Sequence, residues 1–104
     1  MLKINKSNGV INLSRKDEFA GVVERVTVTM DQLRLIALNM ENRGKHVFSE
    51  NCHIVVNKDF DIVIVSHDEF TGETGQMSIY NDRDKKVIGQ YLKKQEQSET
   101  EMPY

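Results

Sequence analysis

The chain has no tryptophan, one cysteine, one proline and an aromatic content of 7% over 104 residues. A single cysteine, Cys52, cannot form an internal disulfide, which excludes a disulfide-stapled secreted scaffold and agrees with a reducing compartment. The sole proline, Pro103, stands at the far end, so no proline-rich linker divides the chain. No long apolar run occurs, which excludes a membrane-spanning helix. The opening stretch MLKINKSNGVINL lacks the continuous apolar segment and small-residue cleavage site of a secretory signal, so a cytoplasmic location is expected. Charge of one sign is also scarce: the formal net charge is −2. That balance argues against tight general binding to nucleic acid, whose affinity rests on cations displacing counterions from phosphates, and it falls far short of the acidity of a DNA mimic.

What is present suits one small globular domain. Hydrophobic residues make up 38% and charged residues 29%, and a chain of this size needs most of its apolar positions for its core. The domain is expected over residues 1–95. The terminal segment 96–104, EQSETEMPY preceded by a lysine-rich turn, has little to bury and reads as a disordered tail.

The clearest local signal is TMDQLRLIALNMENRG. Thr29 can cap a helix, and Gln32, three residues on, can reach back to the cap's own amide. Leu33, Ile36, Ala37 and Met40 follow at helical spacing, with Leu35 and Leu38 widening the stripe. Gly44 is positioned to end the helix in the left-handed conformation, so a helix is predicted over about 30–43. VERVTVTM before it is β-branched and alternating, with Val26, Val28 and Met30 on one side. GVINL is a short strand candidate. SRKDEFAGVV reads as one helical turn capped by Ser14, with Phe19, Val22 and Val23 turned inward.

Downstream, HVF, NCHIVV and FDIVIVSH are strands, and the short NKD connection between the last two requires an antiparallel hairpin. Phe60, Ile62 and Ile64 face one way, Val63 and Val65 the other, as in a central strand apolar on both faces. QMSIY returns with Met77 and Ile79 inward. From Asn81 or Asp82, either able to cap, a second helix is predicted over about 83–95, with a stripe of Val87, Ile88, Tyr91 and Leu92 and a costly Gly89 in its interior. The expected fold is α+β: a mostly antiparallel sheet of four to five strands with two helices on one face.

His46, Cys52, His53 and His67 could each ligate a metal, but Cys52 and His53 are neighbours on a strand and point to opposite faces, and no compact ligand pair occurs. No metal and no cofactor is therefore expected. Cys52 in an apolar strand reads as a small buried hydrophobe, since nothing marks it as a nucleophile. The segment HDEFTGETG holds His67, Asp68, Glu69, Glu73, Gly72 and Gly75, yet matches neither a calcium loop nor a phosphate-cradling glycine loop, and reads as a turn between strands. Phe70 stands out there, because a large aromatic in a polar loop either plugs the fold or meets a partner.

The cations Arg15, Lys16, Arg83, Lys85, Lys86, Lys93 and Lys94 are interleaved with Asp17, Glu18, Asp82 and Asp84, the pattern of a solvated mixed-charge surface. With no catalytic constellation, the expectation is a small non-enzymatic cytoplasmic protein, an inhibitor, adaptor or accessory factor, that binds another protein. Its contact residues are expected at Phe70, Glu69, Glu73 and His67 and along whichever sheet edge stays open. Pairing two copies through that edge would give a homodimer. The asparagine- and lysine-rich composition also suits a phage or mobile-element product. A nucleic-acid-binding accessory protein is the alternative.

Overall fold

The computed structural model describes residues 2–16, 21–68 and 71–100, excluding the side chains of 96–100. The element order is β1 (Leu2–Ser7), β2 (Val10–Lys16), β3 (Val23–Val28), α1 (Met30–Leu38), β4 (Gly44–Ser49), β5 (Cys52–Val56), β6 (Ile62–His67), β7 (Thr74–Ile79) and α2 (Asp82–Thr100). The strands form two antiparallel sheets, β1-β2-β3 and β4-β5-β6-β7, so the fold is α+β as expected, with its strands divided between two sheets.

Alternation decides which residues enter the core. In the first sheet Leu2, Ile11, Leu13, Val26 and Val28 are buried, and in the second Cys52, Ile54, Val56, Ile62, Ile64, Met77 and Ile79. Leu33 and Ile36 of α1 and Ile88 and Leu92 of α2 complete the same core cluster. Each such aliphatic side chain contributes about 1.5–3 kcal/mol on burial, so the shared core is what holds the two sheets together. As β6 required from its two apolar faces, it lies inside its sheet, between β5 and β7.

The sheets meet where β3 crosses the inner side of β7. Gly75 makes the crossing possible, because a Cβ there would run into the backbone carbonyl of Arg25. Two hydrogen bonds bridge the junction: Ser66 Oγ donates to the Thr27 carbonyl at 2.6 Å, and the Ser78 amide donates to Glu24 Oε2 at 3.2 Å. Glu24 also accepts from Arg15 Nη2 at 3.1 Å. Arg15 is buried, donates from Nη1 to the Tyr80 hydroxyl at 2.8 Å, and lies 4.4 Å from the centre of that ring. Burial works against its charge, but the hydrogen bonds to Tyr80 and Glu24 outweigh it and hold the guanidinium pKa above its ordinary value. Its Nε is buried without a partner.

Several local expectations are corrected. Strand β1 arises from a hairpin: Asn8 and Gly9 take φ of 53° and 80°, and Ser7 pairs with Val10, the backbone of a two-residue turn that Asn-Gly favours. Ser14 lies in β2, and Val22 and Val23 are 57% and 45% exposed, so the proposed helical turn from Ser14 is absent where it is described; Phe19 lies outside the described residues. Helix α1 ends at Leu38 and not near Arg43. Asn39 caps it, its side chain donating to the Leu35 carbonyl at 2.8 Å, and Gly44, at φ 121°, opens β4. Leu35 and Leu38, expected to widen the buried stripe, lie on the outer side of the helix, 38% and 74% exposed. The start of α1 is as read, with Gln32 N donating to Thr29 Oγ1 at 3.1 Å and Thr29 N to Gln32 Oε1 at 3.0 Å.

Helix α2 begins after Asn81, whose Oδ1 accepts from the Asp84 amide at 2.8 Å, and it continues to Thr100, beyond the expected end at 95. Asp84 is fully buried and accepts from the Leu2 amide at 3.0 Å, tying the helix to the first strand. The NKD turn is built around Asn57, whose Oδ1 accepts from both Asp59 N and Asp61 N. Phe60 follows at φ 62°, a strained conformation for a bulky residue. Lys85 Nζ donates to its carbonyl at 2.7 Å and Arg43 lies 4.7 Å over its ring, holding it there.

Candidate functional site

The polar segment after β6 is the connector of the β6–β7 hairpin, in which His67 pairs with Thr74. Its own backbone closes the turn: Asp68 N donates to the Glu73 carbonyl and Gly72 N to the Asp68 carbonyl, each at 2.8 Å. Gly72 supplies the left-handed position, φ 73°. His67 is exposed, with Nδ1 2.8 Å from Thr74 Oγ1, and Glu73 is exposed. Glu69 and Phe70, also expected as partner contacts, lie outside the described residues.

His67 and Asp68 reach a groove of about 430 Å³ whose other walls include Thr27, Gln32, Ser49 and Ser66, with Cys52 at its base. These polar groups already serve the fold. Ser66 bonds the Thr27 carbonyl, Gln32 caps α1, and Ser49 Oγ accepts from Asn51 N at 3.2 Å. Burial pushes the Cys52 thiol pKa up, so the sulfur is held protonated and is a poor nucleophile. Cys52 lies on the inner face of β5 and His53 on the outer, as neighbours on a strand must. His46, on β4, has Nε2 2.7 Å from the Asn42 carbonyl. Among the described residues no three His, Cys, Asp or Glu side chains gather as a metal-binding group. The groove brings His67 and Asp68 beside hydroxyl and amide groups that can hydrogen-bond a ligand.

A second groove of about 550 Å³ lies between α2 and the strained turn, lined by Met40, Glu41, Phe60, Asp82, Lys85 and Lys86. Of its two cations, Lys85 is occupied by the Phe60 carbonyl.

The sheet edges differ in how they are covered. Edge strands β3 and β7 lie against each other, and β1 runs beside α2, Asp84 accepting from its first amide. Strand β4, by contrast, ends its sheet and pairs with β5 alone. The outer face beside it carries the cross-strand rows Val47–His53–Val65–Gln76 and Lys45–Val55–Val63–Ser78. None of these residues is buried, and Val47 and Val55 are 65% and 38% exposed. Sequence alternation identifies this face but carries no signal that it stays uncovered, because an apolar outer row reads the same whether or not a helix lies on it.

Fold and surface together define an α+β two-sheet protein in which, among the described residues, the β4 edge stays open beside a valine-bearing face. Comparison with protein-family models, curated proteins and solved structures finds no match. No helix among the described residues is long and apolar enough to cross a membrane.

Proposed function

We propose that the protein is a non-enzymatic binding protein of the cytoplasm that engages another protein through the β4 edge and the adjoining valine face. The observation that carries this reading is the open edge itself, with Val47 exposed on it. An unpaired strand adds a partner's strand through main-chain hydrogen bonds, and neighbouring apolar side chains give that contact affinity and selectivity. Lys45 and the bulge between Val47 and Ser49 restrict pairing along the strand, which guards against indiscriminate aggregation while leaving a specific approach open. The polar groups of the groove beside His67 and Asp68 are largely engaged in the fold, Ser66 with the Thr27 carbonyl and Gln32 with the cap of α1, which favours the strand edge as the working surface.

The test is a photo-crosslinking residue placed at position 47 and, separately, at position 3, in cells of the source organism. One protein captured from position 47 and not from position 3, and lost when Val55→Asp is added, is the expected result. Capture of a second copy of this chain would make the edge a homodimer contact. Identical crosslinks from both positions, or none from position 47, would refute the reading.

A further inference from the structure

The first sheet turns a different kind of face to solvent. Its outer residues are Lys3, Asn5 and Ser7 of β1, Val10, Asn12, Ser14 and Lys16 of β2, and Val23, Arg25 and Thr27 of β3, in the rows Lys3–Ser14–Arg25 and Asn5–Asn12–Thr27. None of these is acidic, because the one carboxylate of these strands, Glu24, points inward to Arg15 and Ser78. Lys3, Lys16 and Arg25 are all exposed, and none forms an ion pair with a described residue. Among the described residues the pleat sends Arg15 and Glu24 to one side and Lys16 and Arg25 to the other.

We propose that this face binds single-stranded nucleic acid. Unpaired cations around Ser14 attract phosphates, and the Asn5 amide together with the Asn12 Nδ2, whose own Oδ1 accepts from Thr27 Oγ1 at 3.1 Å, can hydrogen-bond base edges. The three strands span roughly 10 Å from β1 to β3, a surface on which an extended strand can lie, and among the described residues no helix or ribbon projects from it to enter a duplex groove. A membrane surface fits less well, since the middle of the face is amide and hydroxyl and offers no apolar wedge. An acidic protein segment would satisfy the cations but leave the amides without their base edges. With no aromatic among the described residues of the face to stack bases, binding is electrostatic and weak, and so strongly salt-dependent.

The test is fluorescence anisotropy with a labelled oligo-dT of about 20 nucleotides, long enough for one such site. Three phosphate contacts give a log–log salt slope of about −2, so Kd should rise about twentyfold between roughly 50 and 200 mM salt. Lys16→Gln with Arg25→Gln should weaken binding at least tenfold and flatten the slope to about −0.7, one remaining contact. Lys93→Gln with Lys94→Gln, on α2, should change neither, and matching thermal midpoints would establish that all the variants fold. Absence of dT binding at low salt, equal loss from the α2 variant, or tighter binding to duplex, anionic vesicles or polyglutamate would overturn the proposal. This outcome is independent of whether the β4 edge binds a protein.

Discussion

Replacing Gly75 by alanine adds one methyl group where two backbones touch. The added Cβ would meet the Arg25 carbonyl at well under van der Waals distance and lie 3.3 Å from Val26 Cα. Neither neighbour is a side-chain tip that can swing aside, so β3 and β7 must separate by about an ångström to restore normal contact. The same junction carries the 2.6 Å bond from Ser66 to the Thr27 carbonyl and the 3.2 Å bond from Ser78 N to Glu24. Overpacking of this sort costs about 1–3 kcal/mol, and stretching those two bonds adds up to about 1 kcal/mol each, so Gly75→Ala should destabilise by about 1–5 kcal/mol. Urea unfolding followed by circular dichroism measures this as a lowered midpoint at constant slope. Gly89→Ala supplies the opposite sign with the same chemistry. Nothing lies within 4 Å of a Cβ at that exposed helical position, so alanine should stabilise by about 0.5–1 kcal/mol through helix propensity alone. A loss below about 0.5 kcal/mol at Gly75 would refute the close crossing of β3 over β7.

Asp84→Ala should cost about 2–4 kcal/mol in the same assay, since it strands the Leu2 amide and the Asn81 side-chain amide, whereas Asp84→Asn, which keeps an acceptor for Leu2, should lose less than half as much. Cys52 should resist iodoacetamide until the protein is unfolded. Because its folded pKa is raised, the unfolded chain releases the thiol proton first; stability is full below the ordinary thiol pKa and declines as pH rises through the folded value, a decline that Cys52→Ala should remove.

The segment around His67 illustrates how far sequence reasoning about the site reaches. Its glycines and small polar residues were sufficient to identify a hairpin connector, because turn chemistry is local. That His67 and Asp68 also border a groove with Gln32 and Ser49 follows from contacts between residues far apart in the chain, which no spacing rule encodes. The Asn8–Gly9 turn is legible in the sequence: two residues able to adopt positive φ, flanked by alternating apolar positions, are a direct hairpin signal. Gly44 misled for a related reason. Helix C-termini favour glycine, but Asn39 can also close a helix by bonding its last carbonyls, and it comes first.

By itself, then, the sequence determined local elements: the capped start of α1, the inward faces of β3, β6 and β7 and the stripe on α2, all set by backbone chemistry and periodicity within a few residues. The tertiary structure alone decided that the strands divide into two sheets, that Arg15 turns inward to Glu24 and Tyr80, and that β4 is the edge left open. Those outcomes depend on which surfaces pack together across the whole chain, and a strand's pattern marks the face it can bury without specifying what will cover it.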